Sequence, residues 1–253
     1  MRLLLNLKAM KNCSYDQRYF HKFQGFIYNL LRDTPYEFLH DKPGYKFFCF
    51  SNIFPIADLK ANETKRWLIS SPDRAFIKIL KERLETLAKE EKPINLGEMS
   101  FLIKEVTSLN VRLKKNSKLR AATPIIIRIP ERNYERYDIP PSYRKKHYVF
   151  WRPCYSFEAF VKQLEENLIK KYNEFHKTNL EIERIFELFK FIKGPIANHV
   201  LINGKEQLFI GSLWEFHFSF LTPKQKKILS FALDCGFGER NSFGFGFMNI
   251  LKN

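Results

Sequence analysis

His40 and Lys46 stand six positions apart in Leu39-His40-Asp41-Lys42-Pro43-Gly44-Tyr45-Lys46. An imidazole titrates near neutrality and can pass a proton in either direction. An ammonium group carries a fixed charge that can stabilise a developing anion. Pro35, Pro43 and Gly44 make the surroundings of His40 a loop able to present a side chain. A surface-loop histidine is the plain alternative, and Lys42 rivals Lys46 as the cation. Upstream, Phe20, Phe23, Ile27, Leu30 and Leu31 repeat at helical spacing, while Gln17, His21, Gln24 and Tyr28 fall on another face. That leaves Tyr28 on a polar face, open to a ligand. His21 is a second histidine on this helix, roughly 10 Å from Tyr28 along the axis. His147, His176, His199 and His217 show no triad or metal spacing, and the alternation around His217 reads as sheet packing. Cys13, Cys49, Cys154 and Cys235 are scattered, with no Cys-x-x-Cys pair and no histidine at zinc-finger spacing. They read as buried thiols, and no metal site is predicted.

A second feature lies near the end of the chain. Four of the 10 glycines, Gly236, Gly238, Gly244 and Gly246, fall in eleven positions around Glu239-Arg240-Asn241-Ser242. Glycine permits positive φ, lets another backbone approach closely, and exposes amides to an anion. The segment follows a predicted helix C-terminus, whose dipole end is negative, so anion binding falls to Arg240 and the loop amides. A long connection with bends is the alternative.

The elements that would position these residues follow from periodicity and caps. Residues 2–8 read as a strand. Ser14 and Gln17 have capping-box spacing ahead of the first helix, which ends near Asp33 because Pro35 disfavours helical geometry before it. Tyr45 to Phe54 and Arg66 to Ser70 read as strands. Ser71-Pro72-Asp73 opens a helix with Phe76, Ile77, Leu80, Leu84 and Leu87 on its buried face, and residues 99–109 form a strand. The order is β-α-β-β-α-β. It repeats with a strand over 123–130, an insertion over 131–152, and a helix from a Ser156 cap. Strands over 182–193 and 207–221 follow. A helix from Thr222-Pro-Lys-Gln225 ends near Gly236, able to take a left-handed position, and a last strand covers 247–251. The chain therefore reads as α+β: two tandem ferredoxin-like (RRM-like, βαββαβ) domains, 1–111 and 122–253, joined by a basic linker over 112–121.

Lys+Arg number 43 against 27 Asp+Glu, a formal charge of +16. Such an excess attracts polyanions. Nucleic acid fits better than a membrane surface, because no lipidation motif or basic amphipathic anchor is present. No apolar run reaches the ~18 residues of a membrane span, and the apolar start breaks at Asn6, unlike a signal peptide. A cytoplasmic location is expected. Two basic stretches are candidate RNA contacts: Lys114, Lys115, Lys118 and Arg120, and then Arg144, Lys145 and Lys146 beside Tyr143 and Tyr148, whose rings could stack on unpaired bases. A solvated face is the alternative for each.

Gly236-Phe-Gly-Glu-Arg-Asn-Ser-Phe-Gly-Phe-Gly246, at the end of a basic, double ferredoxin-like chain, resembles the signature loop of the Cas6 family of CRISPR repeat endoribonucleases, in the RAMP superfamily. Ala122-Thr-Pro-Ile-Ile-Ile127 is similar to the segment opening the second half of many members. The resemblance implies metal-independent cleavage of CRISPR repeat RNA (pre-crRNA), with no cofactor. A 2′-hydroxyl would attack the adjacent phosphate, giving a 2′,3′-cyclic phosphate and a 5′-hydroxyl. It also implies a site of Tyr28, His40 and Lys46, matching the family's helix tyrosine and His-x5-Lys pattern. His40 would be the general acid or base, Tyr28 its partner at the 2′-hydroxyl, and Lys46 the phosphorane stabiliser. Gly236, Gly238, Arg240, Asn241, Gly244 and Gly246 would contact RNA. Cas effector subunits and a homodimer are further possible partners. A non-catalytic RAMP subunit that holds RNA in an effector complex is the second reading. A pair of unrelated RRM-like domains is third, because Phe47-Phe-Cys-Phe50 lacks the Lys/Arg-Gly-Phe core.

Overall fold

Leu3, Leu5, Leu7 and Ala9 alternate with outward residues along β1 (Arg2–Ala9), and all four are fully buried. This strand lies mid-sheet, with partners on both edges. The structure is a computed structural model, and it describes residues 1–16, 19–202 and 204–251. β1 pairs antiparallel with β3 (Thr64–Ser70) and β5 (Met99–Leu109); β2 (Cys49–Phe50) and β4 (Ile94–Leu96) flank them, giving the order β2-β3-β1-β5-β4. α1 (Phe20–Leu30) and α2 (Arg74–Lys89) connect the strands. α1 buries Phe20, Phe23, Ile27 and Leu30, the stripe expected from spacing. α2 starts at Asp73, whose carboxylate accepts from the amides of Ala75 and Phe76.

The second sheet has the order β10-β11-β6-β12, from β6 (Lys118–Ala121), β10 (Leu188–Ile202), β11 (Lys205–His217) and β12 (Met248–Leu251). α3 (Phe157–His176) and α4 (Pro223–Cys235) supply its helices, capped by Ser156 and by a Thr222–Gln225 capping box, both as predicted. Leaving the accessory strand β4 aside, both sheets have the ferredoxin-like arrangement: the first and third strands of each βαββαβ unit pair at the centre, with the second and fourth at the edges.

Several sequence expectations change, among them the strand read over 182–193, which runs over Leu188–Ile202, and the buried thiol expected at Cys154, which is exposed. Lys118–Ala121, assigned to the linker, is a central strand: Leu119 and Ala121 face the core while Lys118 and Arg120 face solvent. The surrounding charge hid its two-residue period. The strand predicted over 123–130 divides into β7 (Ile125–Ile126), paired with β11, and β8 (Arg128–Pro130), paired with β9 (Tyr148–Phe150) across the insertion. The strand predicted from Tyr45 shrinks to Cys49–Phe50, because Phe47 adopts φ +52, which a ladder cannot hold. Helix α1 begins at Phe20 without a side-chain cap; of the expected capping box, Gln17 lies outside the described residues.

The lobes share a core. Ile126, Val200, Phe209, Phe243 and Phe245 from the second half join the first half's cluster, and Phe245 stacks on Phe20 at 4.7 Å. Arg2, 3% exposed, donates to the carbonyls of Leu233 (2.8 Å) and Met248 (2.7 Å) and lies over the Phe247 ring. The first strand is thereby tied to the last helix and last strand.

Candidate active site

Tyr28, His40 and Lys46 come together at the mouth of a cleft. Burial of Phe23 and Ile27 turns the polar face of α1, with Gln24 and Tyr28, into the cleft. A short 3-10 turn, Glu37–Leu39, is pinned by buried Leu39 and delivers His40. The Tyr28 and His40 rings meet edge to face, with centroids 5.4 Å apart. Lys46 Nζ lies 4.9 Å from the Tyr28 ring centroid and donates to the His40 carbonyl at 2.9 Å. Lys42, the rival cation, lies over Phe47 at 5.1 Å while also lining the cleft. His40 Nδ1 is 2.6 Å from Asp41 Oδ1, which leaves Nε2 as the nitrogen available to a ligand. The imidazole is well exposed, with 67% of its side chain open to solvent.

Burial sets the ionisation of its neighbours. It raises the Tyr28 hydroxyl well above the ordinary tyrosine range, against a smaller opposing effect of Ser242. The Tyr28 hydroxyl oxygen is buried without a hydrogen bond of standard geometry among the described residues. A buried polar group of this kind is poised to bond something that enters the cleft. Burial lowers the Lys46 pKa below the ordinary lysine value, with Asp41 opposing.

Two adjoining cavities of about 460 and 630 Å³ make the cleft, and they share Gln24, Tyr28, His40, Asp41, Ile202 and Phe243. His21 and Arg32 line the first; Lys46, Arg128 and Arg240 line the second. Ile202, at the tip of the β10–β11 hairpin, closes one side. The charge balance is therefore basic, with Glu37, Asp41 and Glu239 as the carboxylates.

The glycine-rich loop forms the opposite wall. All four glycines have positive φ, from +68° to +88°, and all are buried. A Cβ on Gly246 would lie 1.9 Å from the Phe237 carbonyl oxygen, and one on Gly244 would lie 2.4 Å from the Phe50 ring. The amides of Gly236, Gly244 and Gly246 donate to Ala232, Asn241 and Pro124. These three therefore shape the loop and do not offer amides to an anion, which corrects that expectation for them. Gly236 keeps the expected positive φ but with ψ +153°, extended instead of left-handed. Asn241 is also structural: its Nδ2 donates to the carbonyls of Phe237 and Phe245, and its Oδ1 accepts from Lys171. Lys171 reaches in from α3, 1% exposed, and donates also to the carbonyls of Gly236 (2.6 Å) and Gly238 (3.0 Å). What the loop presents outward is Arg240, exposed and itself in a left-handed conformation (φ +58°), and Ser242, which accepts from Gln24 at 3.0 Å.

The remaining candidates lie elsewhere. Lys114, Lys115, Lys118 and Arg120 are exposed but line neither cavity; Lys118 and Arg120 are on the outer face of the second sheet, with Arg120 3.6 Å from Glu215. Arg144 is half-buried, paired with Glu135 and donating to the Ile139 carbonyl. Lys145 and Lys146 are exposed beside it. His217 sits on a sheet face, 3.4 Å from Glu215, as predicted. Sequence reasoning missed Arg128, which pairs with Glu239 of the glycine-rich loop within the second lobe, as well as Lys171 and Asp41. Only Asp41, adjacent to His40, carried a local signal. Among the described residues no cluster of His, Cys, Asp and Glu could hold a metal ion, and no helix is long and apolar enough to cross a membrane.

Residues 103–250 match the family model described as CRISPR associated protein Cas6, C-terminal. A protein of Methanocaldococcus jannaschii named CRISPR-associated endoribonuclease Cas6 2 is 33% identical over 258 residues, covering all of both chains. The CRISPR-associated endoribonuclease Cas6 of Haloferax mediterranei is 27% identical, over all of this chain and 94% of that one. A solved structure described as a RAMP protein binding different RNA substrates superposes over all of both chains with a TM-score of 0.72 at 18% identity.

Proposed function

The chain belongs to the Cas6 family of CRISPR-associated proteins, and we propose that it is an endoribonuclease that cuts CRISPR repeat RNA without a metal ion. The observation that carries the reading is the meeting of an imidazole, a phenol and an ammonium in one basic cleft. Those three groups match the needs of internal transesterification. The 2′-oxygen forms a bond to the adjacent phosphorus as the bond from phosphorus to the 5′-oxygen breaks. One proton leaves the 2′-hydroxyl and another is delivered to the 5′-oxygen. His40 Nε2 carries out one of these transfers. Tyr28, held as a neutral phenol by burial, hydrogen-bonds the 2′-hydroxyl and orients it. Lys46 stabilises the added charge of the phosphorane. Arg240 and Arg128, on the far wall, attract the backbone on either side of the cut.

The test is incubation of end-labelled repeat RNA with the protein in EDTA, followed by end-group analysis. A single cut leaving a 2′,3′-cyclic phosphate and a 5′-hydroxyl is expected. Ends bearing a 3′-hydroxyl and a 5′-phosphate would overturn the chemistry. RNA that binds in a salt-dependent way but stays intact would favour an RNA-holding subunit.

A further inference from the structure

Beyond the cleft, a groove of about 340 Å³ continues between the β8–β9 ribbon and α3, sharing Tyr45, Arg128 and Glu239 with it. That volume falls in the range of small-ligand sites. One wall is aromatic: the Arg128 guanidinium lies 4.7 Å from the Tyr148 ring centroid, and Phe150 meets Tyr148 at 5.5 Å. The other wall is α3, which presents Gln163, Asn167 and Lys170, spaced four and three apart and hence on one helical face. Gln163 Nε2 and Asn167 Oδ1 are both buried with no hydrogen-bond partner among the described residues. Buried polar atoms are ordinarily paired, so two orphans one helical turn apart in a single groove call for a ligand. They offer an amide donor and an amide acceptor, and rotation of either side chain can exchange the two ends. Two carboxylates also line the groove, Glu239 paired with Arg128 and Glu166 lying 3.8 Å from Lys170, which leaves Arg132 as the cation without an ion pair among the described residues.

We propose that this groove is a subsite for one unpaired nucleotide flanking the cut, its base stacked on the Arg128–Tyr148 pair and its edge read by Gln163 and Asn167. The proposal rests on the RNA-cleaving reading above. A planar heteroaromatic ring with adjacent donors and acceptors suits both walls, and Arg132 at the rim suits its phosphate. A purely apolar ligand would leave both amides unpaired.

The test uses repeat RNA made uncleavable by 2′-O-methyl sugars, with an abasic residue introduced at each position in turn. Affinities are measured for the wild type, Gln163→Leu, Asn167→Leu and Tyr148→Ala. Each variant is expected to weaken binding of the intact RNA by about 5- to 50-fold, in line with single-base stacking and edge contacts. At one position the abasic RNA should lose as much on the wild type and lose nothing more on the variants. The two leucine variants should melt at or above the wild-type temperature, because they remove orphan polar groups. A purely structural role for these amides would not combine that with weaker binding. Unchanged affinities, or losses that add at every position, would overturn the subsite while leaving the cleavage reading intact. A wild type that fails to bind repeat RNA at all would overturn both.

Discussion

Asp41 holds one imidazole nitrogen of His40, and the half-buried Tyr28 ring meets the imidazole, so Nε2 is the nitrogen left for a ligand. His40→Ala should lower the single-turnover cleavage rate by about 10²- to 10⁴-fold and change affinity by less than about threefold. An unchanged rate would move proton transfer to another group, with His21, which lines the same cleft, the next to substitute. Lys46 adds a pH signature. Its pKa is lowered from 10.5, so the ammonium loses its proton, and the phosphorane its charge partner, at a lower pH than with an ordinary lysine. The rate should therefore fall on the alkaline side before pH 10.5, and Lys46→Arg should push that fall upward, because a guanidinium stays charged there. Tyr28 shifts the opposite way and keeps its proton through the ordinary tyrosine range, so it does not set that limb. An alkaline fall in the same place for both proteins would remove Lys46 from the transition state.

The glycine-rich loop owes its composition to where it lies. It turns sharply against Ile126 and Phe50 while sending Phe243 and Phe245 into the neighbouring lobe's core, and only glycine fits the turns. Gly246→Ala would force a methyl onto the Phe237 carbonyl. Gly44, at φ +80°, has open space where a methyl would go, with no atom within 4 Å, so Gly44→Ala carries only the left-handed penalty. The second change should cost about 1 kcal/mol and the first at least twice that, read from denaturant unfolding. Lys171 is the loop's other support. Lys171→Met removes the donor to the two buried carbonyls of Gly236 and Gly238 and to the Asn241 amide oxygen, leaving the Gly236 carbonyl only the weak Cys235 thiol, and should cost about 3 kcal/mol. That corresponds to a melting temperature lower by about 6–12 °C for a chain of this size. A melting temperature within about 2 °C of the wild type would show that the loop holds its shape without Lys171.

Over the whole molecule, the formal charge of +16 is spread widely, but the part that lines the cleft comes from both lobes: Lys46 from one, Arg128 and Arg240 from the other. Repeat RNA that neutralises about five phosphates there should bind roughly 10²-fold more weakly on going from about 50 to 200 mM salt. Arg240→Ala should weaken binding and reduce the logarithmic salt slope by about 0.7, the share of one phosphate contact on a single strand. Equal affinity and an unchanged slope would take the loop out of the RNA path. The lobes are held in register by Arg2 and by the exchanged phenylalanines, which keeps the two walls of the cleft at a fixed separation.

Local chemistry was readable along the chain. The stripe of α1, the caps at Ser156 and Thr222, and the βαββαβ order are short-range matters of spacing and capping, and they stand in the structure, while the helix read as starting with Pro72 in its first turn is capped by Asp73, after the proline. The strand at Lys118–Ala121 was hidden because two of its four residues are cationic, and only its partners β11 and β12 make it a sheet centre. The meeting of Tyr28 with His40 and Lys46 was anticipated through family resemblance, while its geometry depends on Leu39 packing and on the wall supplied by Ser242. Lys171, Arg128 and the Gln163–Asn167 pair gave no signal at all. Each gains its meaning from groups at least 65 positions away or from a groove between elements, and spacing along a chain does not encode distances of that kind.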